Sequence, residues 1–173
     1  RTIANRFNNK FSPTFTVPEG RVPKFGARIY SLSDPTAKMG KSDGANDGSV
    51  FILDKPDDIM RKFKRAVTDS GREIKAADDK PGITNLLTIY AAASGATLEQ
   101  AQNEFASSDY ATFKQRVGEA AVETLRPVRE KYEALRRDDG ELLRLMQAGA
   151  EKAARLAYRT LEKVYKKIGF VRL

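Results

Sequence analysis

The sequence has 173 residues, which is the usual length of about one domain. It contains 31 Lys and Arg against 23 Asp and Glu, and the net charge of +8 favours anionic partners such as RNA or nucleotide phosphates. The absence of Cys and His excludes disulfides, thiolate chemistry, His metal sites and imidazole acid–base catalysis. No apolar run reaches the ~18 residues of a membrane span, and no apolar segment follows a basic start, so we expect a cytoplasmic protein with no membrane partner.

Proline and glycine interrupt the first part of the chain and disfavour long helices there. Within this region, Ala27 to Leu32 alternates apolar and polar side chains in part, which predicts a short strand. The strand leads directly into a glycine-rich loop from Ser33 to Ser49. We therefore expect a strand and a loop, rather than long helices, in this part of the chain.

Helical periodicity replaces this pattern from Asp54 onward. Asp54 is predicted to cap a first helix, which ends just before Gly71. A second helix begins near Ile83 and ends near Gly95, because glycine accepts the left-handed backbone that commonly terminates helices.

Three further helices are predicted after Gly95. Thr97 followed by Gln100 has the spacing of a capping box and begins the third helix. Asp109 begins the fourth, whose apolar stripe predicts a core face: Phe113, Val117, Ala121, Val128, Tyr132 and Leu135. After Gly140 the apolar pattern continues to Ile168, with a possible break near Gly149. The expected fold class is mostly α, a helical bundle preceded by a strand and a loop.

The loop Lys38–Asp43, with the sequence K-M-G-K-S-D, contains the candidate chemistry. Lys38 and Lys41 can surround a polyphosphate with ammonium groups, while Gly40 lets the backbone approach closely. A solvated, charged turn explains the same spacing. The phosphate loop of nucleotide triphosphatases is excluded, because it requires a glycine where Pro35 stands.

The same loop resembles the K-M-S-K-S-D loop of class I aminoacyl-tRNA synthetases, and its surroundings resemble the bacterial tryptophanyl-tRNA synthetases closely. The resembling segments follow one another in order along almost the whole chain. They are Val22–Ile29, Ser31–Leu32, Asp34–Thr36, Lys64–Ser70, Lys80–Tyr90, Glu123–Pro127 and Gly149–Ala153. The resemblance is to the C-terminal half of that family.

The resemblance implies roles for the matching positions. Those implied to bind ATP are Ile29, Lys38, Met39, Gly40, Lys41 and Ser42. Lys38 and Lys41 are implied to be catalytic, stabilising the departing pyrophosphate together with Mg²⁺ that is held by the ATP phosphates and by no protein ligand. Gly40 replaces the usual Ser, and the lost hydroxyl is worth about 1 kcal/mol as a hydrogen bond.

The implied reaction joins tryptophan to ATP as tryptophanyl-adenylate and then transfers it to tRNA(Trp), in an enzyme expected to be a homodimer. The resemblance places residues 1–53 at the end of the catalytic nucleotide-binding domain and 54–173 in a helical tRNA-binding domain. Thr2–Asn5 only superficially resembles the family's T-I-G-N signature, since Ala4 replaces the required glycine, and it is interpreted as a helix end. We therefore expect the segment alone to be inactive.

Basic residues concentrate near the end of the chain, where +5 of the net charge lies between Glu151 and Leu173. Helical spacing places five of them on one face, which we call the basic stripe: Lys152, Arg155, Arg159, Lys163 and Lys166. A second cluster contains Arg61, Lys62, Lys64 and Arg65. Each could follow an RNA phosphate backbone, and each could equally be a solvated helix face.

Two alternative functions remain open on the sequence. A non-catalytic helical RNA-binding module explains the charge and the helices but leaves the K-M-G-K-S loop unexplained. Half of a tyrosyl-tRNA synthetase would share that loop, although the flanking segments resemble the tryptophan family better.

Overall fold

The computed structural model describes residues 1–23, 26–41 and 47–171. Within these residues the chain forms six helices: α1 (Thr2–Phe11), α2 (Pro56–Arg65), α3 (Pro81–Ser94), α4 (Leu98–Glu104), α5 (Tyr110–Arg136) and α6 (Asp139–Ile168). The prediction of a mostly α fold is confirmed. None of the helices in the described ranges is long and apolar enough to cross a membrane.

Local signals set the ends of α3, α4 and α5. Gly95 ends α3 with a left-handed φ of 74°. Thr97 and Gln100 form the predicted capping box, with the Thr97 side chain accepting from the Gln100 amide at 3.1 Å. Asp109 precedes α5 and its carboxylate accepts from the Thr112 amide at 2.7 Å. These three predictions are confirmed. Such helix ends can be predicted because each depends on residues only a few positions apart.

The limits predicted for the first helix are wrong at both ends. Lys55 occupies the N-cap of α2, since the Asp54 carboxylate instead accepts from the Phe51 amide at 2.9 Å. The helix ends at Arg65, well before Gly71. Beyond it, the Val67 amide donates to the Leu32 carbonyl at 2.7 Å, so a long-range backbone bond takes the chain out of the helix.

The strand predicted over Ala27 to Leu32 is reduced to one antiparallel bridge, between Tyr30 and Lys38, within the described ranges. A strand requires a continuous ladder of backbone bonds. Here the Asn85 side chain takes the place of a neighbouring strand, because it accepts from the Tyr30 amide and donates to the Tyr30 carbonyl, both at 2.9 Å.

Residues Val22–Tyr132 form one compact unit that contains the site. Its core is built from α2 to α5, and the ring centroids of Phe105 and Phe113 lie 4.8 Å apart. The predicted stripe of α5 is buried at Phe113, Val117 and Ala121. The prediction is wrong further along, since Val128 and Tyr132 are 50% and 44% exposed.

Arg1–Arg21 and Glu133–Leu173 form a second compact unit that contains α1 and α6. The Lys167 ammonium donates to the Pro13 carbonyl and the Thr14 hydroxyl, each at 2.7 Å. Helix α6 passes through Gly149 without a break, and none of its residues is buried in the described structure.

Candidate nucleotide-binding site

The loop residues surround an open cavity of about 380 Å³. Five of the six residues predicted to bind ATP line it: Ile29, Lys38, Met39, Gly40 and Lys41. Ser42, the sixth, lies outside the described residues. Arg28 also lines the cavity and adds a third cation, which the sequence analysis did not select. The structure thus brings together residues from two segments of the chain, and ATP binding by them stays a prediction.

A tight turn places Ile29 beside Met39. The Asp34 carboxylate accepts from both the amide and the hydroxyl of Thr36, at 3.0 and 2.6 Å. The Thr36 side chain and then its backbone amide lower the pKa of Asp34. The chain then returns on itself, and the Met39 amide donates to the Ile29 carbonyl at 3.0 Å.

Lys38 and Lys41 present their charges to solvent. Both are exposed, and within the described ranges neither forms a salt bridge. Ile29 and Met39 are half-buried and supply apolar surface to the same cavity. The arrangement therefore combines an apolar wall with available cations, which suits a ligand that has a flat base and a polyphosphate.

Polar contacts behind the cavity hold the return of the loop. The Ser49 hydroxyl donates to the Gly40 carbonyl at 3.0 Å, and the Lys62 ammonium donates to the Ser49 carbonyl at 2.8 Å. The same ammonium forms a 2.6 Å ion pair with Asp54. These roles were not predicted from the sequence, although Lys62 shares the buried face of α2 with Ile59 and Phe63, and that spacing was the available signal.

Three of the four residues in the second predicted basic cluster are buried or paired, and only Lys64 is exposed without a salt bridge among the described residues. Lys62 is buried, so for this residue both alternatives, a phosphate-facing surface and a solvated helix face, are wrong. Arg61 pairs with Asp58 at 2.9 Å, and Arg65 pairs with Asp47 at 2.8 Å. Each of these arginines already has an anionic partner.

The basic stripe of α6 has different surroundings. All five of its residues are exposed, and none forms a salt bridge within the part of the chain that the structure describes. The opposite, apolar face of the helix is also open, since Ala153, Ala157 and Leu161 are exposed and Val164 and Ile168 are only half-buried. The stripe is thus available to an anionic partner, while the helix lacks the buried face of an ordinary amphipathic helix.

A separate polar cluster joins the segment after α2 to the start of α5. The Tyr110 hydroxyl donates to Asp69 at 2.9 Å. Burial and then the Asp69 carboxylate raise the pKa of Tyr110 to about 12. Burial alone raises the pKa of Asp69, but hydrogen bonds from Tyr110 and Gly71 and the charge of Lys80 together lower it. The other carboxylate oxygen of Asp69 is buried without a partner among the described residues.

The described residues contain no group of three or more Asp and Glu side chains that could hold a metal ion. Among the described residues no carboxylate lines the cavity around the loop, and the charged lining residues are Arg28, Lys38 and Lys41. These residues fit an anion directly. A divalent cation there fits only as the companion of a bound phosphate, because carboxylate oxygens are the protein ligands that Mg²⁺ ordinarily uses.

A helical chain with an exposed two-lysine loop beside an apolar wall is the arrangement expected for the C-terminal half of a class I synthetase. The chain belongs to the family of class I tRNA synthetases (W and Y), whose model matches residues 1–126. The family resemblance predicted from the sequence is confirmed.

Curated relatives and solved structures agree with this assignment. The tryptophan–tRNA ligase of Clostridium perfringens is 46% identical over 171 residues, and that of Oceanobacillus iheyensis is 45% identical over 173 residues. The matches cover 99% of this chain and 52% and 53% of those proteins. The chain thus spans about half the length of these relatives.

Among solved structures, the tryptophanyl-tRNA synthetase of Mycoplasma pneumoniae aligns with a TM-score of 0.87 and 29% identity, over 99% of this chain and 52% of that one. The Campylobacter jejuni enzyme, complexed with ADP and tryptophan, aligns with a TM-score of 0.65 and 27% identity, over 98% and 52%.

Proposed function

We propose that this chain is the C-terminal part of a tryptophan–tRNA ligase. The observation that carries the proposal is the pair of exposed lysines, Lys38 and Lys41, beside the apolar wall of Ile29 and Met39. Membership of the W and Y family and the tryptophan–tRNA ligase relatives support tryptophan as the amino acid. In the intact enzyme, tryptophan and ATP give tryptophanyl-adenylate and pyrophosphate, and the adenylate then esterifies tRNA(Trp).

The first step suits a chain that has no histidine. The tryptophan carboxylate is already a nucleophile, so its attack on the α-phosphate of ATP needs no general base. Ile29 and Met39 pack against the adenine, while Lys38 and Lys41 bind the phosphates and stabilise the negative charge that develops on pyrophosphate. Ser42 binds with them, and Gly40 contributes its backbone.

Mg²⁺ bound to the ATP phosphates supplies further charge neutralisation when it is present. The described residues that line the cavity are cationic or uncharged, so none of them is proposed as a ligand of this ion. Lys38 and Lys41 act on the phosphate oxygens directly.

The helical part of the chain is proposed to bind tRNA(Trp), and the intact enzyme is proposed to be a cytoplasmic homodimer. Functionally, residues 1–53 complete the catalytic domain and 54–173 form the tRNA-binding domain. The exposed basic stripe of α6 supports an RNA partner, because its arginines and lysines form no salt bridge with any described residue and are available to phosphates.

The test is amino-acid-dependent exchange of labelled pyrophosphate into ATP, measured with the full-length protein that contains this chain. We expect exchange with tryptophan and none with tyrosine. Exchange with tyrosine alone would show that the chain is part of a tyrosyl-tRNA synthetase. Binding of tRNA without any exchange would show that it is a non-catalytic RNA-binding module. The 173-residue chain by itself serves as the control and should be inactive.

A further inference from the structure

A buried lysine lies directly behind the nucleotide loop. Lys62 is 6% exposed, and its ammonium group has two hydrogen-bond acceptors, Asp54 at 2.6 Å and the Ser49 carbonyl at 2.8 Å. The ring centroid of Phe51 lies 5.2 Å from the same nitrogen. Lysine side chains usually keep their charge in water, so a lysine buried among three partners has a specific structural task.

Ser49 connects this lysine to the loop. It is 2% exposed, and its hydroxyl donates to the Gly40 carbonyl at 3.0 Å. Gly40 lies between Met39 and Lys41, so the bonds lead from α2 to the backbone between the two loop lysines. Ser49 also lines the cavity, but its hydroxyl is occupied by the Gly40 carbonyl of the loop itself.

The chemistry of these contacts favours positioning over stability. A buried ion pair recovers little free energy relative to apolar side chains of the same size, because both charges lose their hydration. An apolar side chain at position 62 could fill the space but could not donate to the Ser49 carbonyl. The lysine instead fixes the position of the Ser49 carbonyl, because charge-assisted hydrogen bonds are strong and directional in a low-dielectric interior.

We propose that Lys62 and Ser49 are positioning residues for adenylate formation. They fix the backbone at Gly40, so that Lys38 and Lys41 meet the triphosphate at a set spacing. The kinetic part of this inference rests on the proposed function, whereas the fixing of the loop does not. Misplacing catalytic groups by about 1 Å costs on the order of 100-fold in rate, so the effect is measurable.

The kinetic test uses the full-length protein with Lys62→Met, Lys62→Arg and Ser49→Ala. We expect kcat/KM for ATP to fall about 100-fold in Lys62→Met. Ser49→Ala, which loses one hydrogen bond, should lower it about 5-fold. The KM for tryptophan should stay unchanged, and Lys62→Arg should recover part of the loss, because a guanidinium can donate to both acceptors.

Lys75→Met and Ser107→Ala are the matched controls. Both positions are exposed in the same compact unit and away from the cavity, so the same chemical changes there should leave the kinetic constants at their wild-type values. Activities are referred to the concentration of active sites. A Lys62→Met protein that loses active sites while each remaining site keeps its kcat/KM for ATP would overturn the proposal in favour of a purely structural role.

A second measurement does not depend on activity. Amide hydrogen exchange of peptides that contain Met39 to Lys41 should be faster in Ser49→Ala than in wild type, while exchange in α3 is unchanged. Unchanged loop exchange overturns the positioning role whatever the kinetics show. If the wild-type protein exchanges no pyrophosphate with tryptophan, the proposed function fails, and the exchange of the loop amides still decides this inference.

Discussion

Gly82→Ala tests how closely the start of α3 approaches the segment that follows α2. A β-carbon at Gly82 would overlap the carbonyl oxygen of Val67 and lie 3.2 Å from its carbonyl carbon. The obstacle is backbone, and the Val67 amide is itself fixed by its 2.7 Å bond to Leu32. Neither side can relax by rotating a side chain, so the helix or the segment must shift.

The expected loss follows from two opposing terms. Overpacking of this kind costs about 1–3 kcal/mol, and a backbone obstacle favours the upper end of that range. Alanine returns at most about 1 kcal/mol, through its better helix propensity. The net destabilisation is about 2 kcal/mol, which lowers the Tm by about 8 °C for a unit of this size.

Thermal and urea unfolding of the chain, followed by circular dichroism, measure this loss. Gly118→Ala is the matched control in the same unit, because its β-carbon would meet the Met60 sulfur at 3.0 Å and the Phe63 β-carbon at 3.2 Å. The Met60 side chain can move and the Phe63 β-carbon need shift only by a few tenths of an ångström, so we expect a change within about 1 kcal/mol. Equal losses of stability at both glycines, or a Gly82→Ala protein as stable as wild type, would show that the Val67 carbonyl does not restrict position 82.

Three other predictions concern the loop, the basic stripe and the polar cluster. In the full-length protein, Lys41→Ala should slow adenylate formation about 30- to 150-fold with little change in tryptophan binding, measured by pyrophosphate exchange; a change in tryptophan KM alone would contradict its role. Replacing Arg155 and Arg159 with Gln should weaken the binding of all tRNAs alike. In filter-binding assays, the slope of log K against log salt concentration should become shallower by about 0.7–0.9 per lost phosphate contact. An unchanged slope would exclude phosphate contacts by these two residues. Because the pKa of Tyr110 is raised to about 12, its contribution to stability is complete below about pH 10 and is lost as the pH rises through 12. Urea unfolding between pH 10 and 12 should show this loss of stability in the wild-type protein. The same loss in a Tyr110→Phe protein would mean that another group causes it.

Helix ends were predictable where the signal is local. The Thr97 capping box and the Gly95 terminus each depend on a few adjacent residues, and both stand in the structure as expected. The end of α2 was not predictable in this way, because the bond from Val67 to Leu32 joins residues far apart in sequence. The partial strand pattern at Ala27 to Leu32 likewise gave no sign that a side chain, rather than another strand, would satisfy the backbone.

The candidate site likewise contains some residues that a local motif could identify and others that only the tertiary structure brings to it. Lys38 to Lys41 are contiguous, so a motif could select them and the structure places them around one cavity. Lys62 and Ser49 reach the loop only through tertiary contacts, and charge alone assigned Lys62 to the surface. A basic residue on the buried face of a short helix is a pattern that predicts internal hydrogen-bond or ion-pair partners, because a buried charge without them is costly.

The bidentate contact between Asn85 and Tyr30 ties the loop-bearing segment to α3 as a peptide group would. Asn85 is only 4% exposed, so water cannot readily replace either bond. A small rotation of α3 about its axis would therefore displace Tyr30 and, across the bridge, its partner Lys38. The position of Lys38 thus depends on the seating of α3 as well as on the loop's own sequence.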